Sequence, residues 1–292
     1  MIRTLLSTFF YAVVFSGLLG FQARAGTSEA LLARGENLFF IGGCGHCHTA
    51  EDGPMLAGGD PLKTPFGTFY PPNITPDPET GIGNWSEKDL TRALREGISP
   101  HGQPYYPAFP FTSYTLMKDE DLTALKAYLD TVPPIRHQTP AHELSFPFNV
   151  RSGLWGWRWL FFRPARFQPD PMRSGQWNRG AYLVQGPGHC GECHTPRNWM
   201  GALDRSRAYA GSVVGELNAP NITPDSEYGI GEWSETDLLY FFETGMKPDG
   251  DTASGEMAKV IRKGISKLPE EDLRAIIEYL QSLPPIAAEP NR

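Results

Sequence analysis

Apolar positions in this chain recur at helical spacing in short stretches separated by long loops rich in glycine and proline. A first helix is predicted over residues 28–40, ending on the apolar run Leu38-Phe39-Phe40. A second starts at Ser86, a hydroxyl cap three residues ahead of Asp89, and continues through Leu90, Ala93 and Leu94. A third opens on Asp119-Glu120-Asp121, acids that suit a positive helix N-terminus. It runs through Leu122, Leu125, Ala127 and Leu129 and is stopped by Pro133-Pro134. The series then returns. A helix is predicted over 176–184, another from Ser234 and Asp237 through Leu238, Phe241 and Phe242, and a last from Glu270-Glu271-Asp272 through Leu273, Ile276, Ile277 and Leu280 to Pro284-Pro285. No alternating run predicts a strand, so the expected fold class is mainly α with loop-rich pockets.

The repetition extends to the motifs between helices. Arg34-Gly35 recurs as Arg179-Gly180, and Asn73-Ile74-Thr75-Pro76-Asp77 as Asn221-Ile222-Thr223-Pro224-Asp225. Gly81-Ile82-Gly83 recurs as Gly229-Ile230-Gly231, and Pro133-Pro134-Ile135 as Pro284-Pro285-Ile286. Order is kept while the offset widens, as expected of one duplicated unit with small loop changes. The expected organisation is a first domain over 26–135, a connector over 136–175 and a second domain over 176–292. The connector is crowded with rings, among them Phe146, Phe148, Trp155, Trp157, Trp159, Phe161 and Phe162. It reads as a linker packed across both domains, or else as a docking surface for a partner or a bilayer.

Composition narrows the function. A net charge of −7 makes a phosphate-binding face, and so nucleic acid, a poor guess. Residues 1–25 combine a short basic start, an apolar run and Ala23-Arg24-Ala25, a secretory signal peptide cut after Ala25. That predicts export to the periplasm.

The four cysteines fall into two copies of one pattern, Cys44-Gly45-His46-Cys47-His48 and Cys190-Gly191-Glu192-Cys193-His194. Two thiols three positions apart reach the two vinyl groups of one haem, and the adjoining histidine sits beneath the iron. This is the attachment signature of c-type haem. A thioredoxin-like pair lacks its βαβ context, and a zinc site would need further ligands from outside these short loops. The reading is two covalently attached haem c groups, held by Cys44 and Cys47 and by Cys190 and Cys193, with His48 and His194 as proximal ligands.

A methionine opposite the histidine favours electron transfer. In the second copy the candidates are Met200, Met246 and Met257, of which Met257 is the best placed, on a loop expected to fold over the haem edge. In the first copy Met55 follows the motif too closely. Met117 is the first choice, although it aligns with the packing residue Leu268, and Phe109 occupies the place nearest Met257. An open iron or His101 remains the alternative there.

Tyr106-Pro107-Ala108-Phe109-Pro110-Phe111, Phe146-Pro147-Phe148-Asn149, Ala219-Pro220-Asn221-Ile222-Thr223 and Gly188-His189-Cys190-Gly191-Glu192-Cys193-His194-Thr195-Pro196-Arg197-Asn198 carry a resemblance. The chain is similar to the cytochrome c subunits of membrane-bound bacterial dehydrogenases that oxidise alcohols and gluconate. The resemblance implies two tandem class I cytochrome c domains and a periplasmic carrier of single electrons. The implied partners are a donor dehydrogenase and an acceptor cytochrome or oxidase, with any membrane association made through a partner. Met257-Ala258-Lys259-Val260 matches the family's methionine motif, whereas Phe109 stands where alcohol-dehydrogenase members carry methionine. Phe109 also leaves an alternative: a peroxidase-like dihaem enzyme using an open first haem.

Overall fold

The computed structural model describes residues 28–214 and 217–288; the signal peptide read over 1–25 lies outside them. The N-terminal half contains α1 (28–41), α2 (Cys44–Cys47), α3 (Glu87–Glu96), α4 (Phe111–Tyr114) and α5 (Asp119–Leu129). The connector adds α6 (Gly153–Phe161). The C-terminal half contains α7 (Gly175–Gln185), α8 (Cys190–His194), α9 (Glu235–Thr244), α10 (Gly255–Lys263) and α11 (Glu270–Gln281).

The capping signals form as read. Ser86 accepts from the Asp89 amide at 3.2 Å while Asp89 accepts from the Ser86 amide at 2.9 Å. Ser234 and Asp237 repeat this at 3.1 and 2.9 Å. In each half the first long helix crosses the last at a glycine. A Cβ on Gly35 would lie 2.1 Å from the Ala124 carbonyl oxygen, and one on Gly180 would lie 1.8 Å from that of Ala275. The acid clusters do more than face a helix dipole. Asp121 accepts from Arg34 Nε at 2.5 Å, and Asp272 accepts from Arg179 Nε at 2.7 Å, so each crossing is tied by an ion pair beside its glycine. The Arg-Gly and Glu-Asp-Leu repeats are thus two sides of one joint.

Each half has its own apolar core. Leu38, Phe39, Met117, Leu122 and Leu125 centre one; Tyr182, Leu183, Leu238, Leu273 and Ile277 centre the other, which also takes in Ile41 from the first half.

Three features depart from the sequence reading. Short strands are present: β1 (Leu62–Thr64), β2 (Gly67–Phe69) and β3 (Glu143–Leu144) form one antiparallel sheet, and β4 (Ser212–Val214) pairs with β5 (Leu217–Ala219). At two or three residues they are too short to show a period of two. The connector holds helix α6, which buries Leu154 and Trp157 and exposes Trp155 and Trp159. Met257 lies on helix α10 rather than on a flexible loop. Among the described residues no helix is long and apolar enough to cross a membrane.

Candidate haem-binding sites

Both cysteine motifs fold as one short helical turn, α2 and α8. Each starts from a residue in the left-handed region, Gly43 at φ 62° and His189 at φ 40°. Histidine in that region is uncommon; here its ring is held, with Nε2 3.2 Å from the Gly42 carbonyl oxygen. The four thiols are unpaired. Burial pushes the Cys44 and Cys190 thiols up to about 12, the opposite of the thiolates that drive dithiol redox chemistry.

The two motif histidines have matching partners. His48 Nδ1 lies 2.7 Å from the Pro72 carbonyl oxygen, and His194 Nδ1 lies 2.7 Å from that of Pro220. With Nδ1 donating to a carbonyl, the neutral ring keeps its lone pair on Nε2, the nitrogen left for a metal. Burial lowers both histidine pKa values, outweighing the proline carbonyls that raise them, so the neutral, ligating form is favoured.

The repeated Asn-Ile-Thr and Pro-Pro-Ile motifs explain why those carbonyls are fixed. Asn73 follows Pro72. Its Oδ1 accepts from the Thr75 amide at 2.9 Å and its Nδ2 donates to the Ile135 carbonyl at 2.7 Å. Asn221 follows Pro220 and makes the same bonds to Thr223 and Ile286, at 2.9 and 2.8 Å. The Thr75 and Thr223 hydroxyls in turn accept from the amides of Ile135 and Ile286. Both asparagines are buried. Sequence reasoning found these motifs as repeats without assigning them a task; their task is to pin the loop that orients each histidine.

The methionines divide as follows. Met257 packs half-buried against the C-terminal core, as does Cys190. Met117 is fully buried in the N-terminal core, against which Cys44 and Phe109 also pack, and its carbonyl accepts from buried Arg95 at 2.8 Å. Met117 and Leu268 hold equivalent buried places just before α5 and α11. Met55 and Met246 are exposed, as is His101.

The family profile of cytochrome c matches residues 32–133. A diheme cytochrome c-type protein of Cereibacter sphaeroides is 46% identical over 267 residues, which cover 89% of this chain and 88% of its own. This chain belongs to the cytochrome c family. A nicotinate dehydrogenase subunit of Pseudomonas putida is 47% identical over 88% of this cytochrome, and the fructose dehydrogenase cytochrome subunit of Gluconobacter japonicus is 41% identical over 87%. The chain spans only 22% and 52% of the length of those two relatives. A cytochrome c carries covalently bound haem c, and the residues present fit it: two free thiols on one helical turn, followed by a histidine whose Nδ1 is held by a carbonyl and whose other nitrogen is spare.

Proposed function

We propose that this cytochrome c is a two-haem electron carrier of the periplasm, passing single electrons from a dehydrogenase to the respiratory chain. The observation that carries the reading is the matched pair of 2.7 Å histidine–proline contacts, one behind each Cys-x-x-Cys-His turn. Two tandem class I domains, over 26–135 and 176–292, each supply one such site, with the connector over 136–175 between them.

Cys44 and Cys47 tether one haem and Cys190 and Cys193 the other. The haem iron supplies a one-electron couple. The protein's residues would do the rest: His48 and His194, each held by a proline carbonyl, would ligate the two irons. Met257 would be the other ligand at the second site, a reading supported by its packing in the cluster that Cys190 joins. Met117 is proposed for the first, where it shares its core with Cys44 and Phe109. The relatives named as dehydrogenase subunits support a dehydrogenase as donor.

Mass spectrometry of the purified protein tests the assignment. Two haems add roughly 1.2 kDa that survives acid–acetone extraction. Replacing Cys190 and Cys193 with alanine should remove one haem and leave the other; loss of both, or of neither, would contradict one independent site per half.

A further inference from the structure

The two attachment turns are held by the opposite halves of the chain. In the N-terminal half, His46 Nε2 lies 3.1 Å from Glu256 Oε2 on α10, and the Gly42 carbonyl faces His189 at 3.2 Å while accepting the Tyr114 hydroxyl at 3.0 Å. In the C-terminal half the contact is a buried carboxylate. Glu192, inside the second Cys-x-x-Cys-His turn, is 8% exposed. Its Oε1 accepts from the Ser113 hydroxyl at 2.9 Å and from the Thr112 hydroxyl, both on α4 of the other half. Its Oε2 accepts from Arg197 Nη2 at 2.7 Å, and the same nitrogen reaches the Glu192 carbonyl at 2.8 Å. Arg197 Nη1 is spent on the Gly201 carbonyl at 2.8 Å.

A carboxylate buried this deeply is costly unless its lone pairs are filled. Here a guanidinium fills one oxygen and two hydroxyls from across the seam fill the other, and bonds to an ionised group are the strong kind. The turn that bears Glu192 also bears Cys190, Cys193 and His194, so anything that fixes Glu192 fixes the whole mounting of the second site. We propose that Glu192 is a positioning residue that sets the spacing and tilt of the second haem relative to the first, by anchoring its attachment turn to Thr112 and Ser113. This rests on the two-haem reading above. The haems, when bound, would supply one-electron exchange between neighbouring irons, with no bond formed and no proton moved. Such a step depends on the separation and relative orientation of the two haems, so a shift of the attachment turn changes its rate.

The test uses Thr112→Val with Ser113→Ala, which removes the cross-seam donors without touching either attachment motif, beside Glu192→Ala and Glu192→Gln. Haem content and each haem's own absorption serve as the control. The readouts are the bisignate Soret circular dichroism of two coupled haems and the rate at which one electron, added by pulse radiolysis, equilibrates between them. The hydroxyl deletions and Glu192→Ala should shrink the couplet and slow equilibration. Glu192→Gln, whose amide oxygen still accepts from α4, should restore most of both. Combining the hydroxyl deletions with Glu192→Ala should add nothing further. A two-haem protein whose couplet and rate ignore these substitutions overturns the proposal, as does full additivity of the two lesions. A wild-type chain with fewer than two haems overturns the underlying reading instead, and the control reports it separately.

Discussion

Replacing Asn221 with alanine should disable one haem site while sparing the other. Asn221 is 2% exposed. Its side chain accepts from the Thr223 amide at 2.9 Å and the Thr223 hydroxyl at 2.7 Å, and donates to the Ile286 carbonyl at 2.8 Å. Alanine removes all three bonds and leaves the buried Thr223 amide and hydroxyl without an acceptor, while the Ile286 carbonyl keeps the Ala288 amide at 2.9 Å. A buried polar group without a partner costs about 1–3 kcal/mol, so two should cost about 2–4 kcal/mol once relaxation is allowed. The loop also loses the anchor beside Pro220, whose carbonyl orients His194. Denaturant unfolding of the haem-loaded protein should show that loss of stability, and a redox titration should show the potential of the second haem moving while the first stays in place, because Asn73 keeps its own bonds to Thr75 and Ile135. A destabilisation below about 1 kcal/mol, or both potentials moving together, would refute the view that this asparagine holds the histidine loop.

Met257→Ala should turn the second haem high-spin and lower its potential, while Met117→Leu should do the same only at the first; a Met–iron absorption band of undiminished intensity in either variant would remove that methionine from the ligand set. Gly180→Ala and Gly156→Ala should differ in sign. Both sit in helices, where alanine gains about 1 kcal/mol. At Gly180, however, the new methyl meets the Ala275 carbonyl at 1.8 Å, whereas at Gly156 nothing lies within 4 Å. Overpacking against backbone costs about 1–3 kcal/mol, so Gly180→Ala should lower the unfolding midpoint and Gly156→Ala should hold or raise it. Equal shifts would show that the α7–α11 crossing is not tight.

The six long helices were legible because each carries a local signal. Ser86 with Asp89, and Ser234 with Asp237, announce their starts within four residues, and the proline pairs announce the ends. The two candidate haem sites stood out for the same reason, since Cys44 through His48 is a contiguous motif and the fold gives it one helical turn. The family resemblance agrees with the relatives found. What escaped was non-local or too short. Strands of two or three residues carry no periodicity. Helix α10 was hidden because a glycine-rich stretch around Met257 reads as loop, although Gly255–Lys263 is helical once packed against α9 and α2. The proline carbonyls behind His48 and His194 are backbone atoms, invisible to any residue pattern. The contacts of Glu192 with Thr112 and Ser113 join positions about 80 residues apart, and only the folded chain brings them together.

The connecting segment has a consequence for how the molecule holds together. Trp157 and Phe162 are buried with Phe111 of one half and Ala202 of the other, and the Trp157 indole donates to the Met200 carbonyl at 2.9 Å. The segment therefore works as mortar as well as tether. Further along it, Met172 is 88% exposed and offers a protease an easy target. A nick there would cut the covalent path between the halves, yet the fragments would stay together as a non-covalent pair, because the rings that bind them lie upstream of the break and remain wedged in the seam.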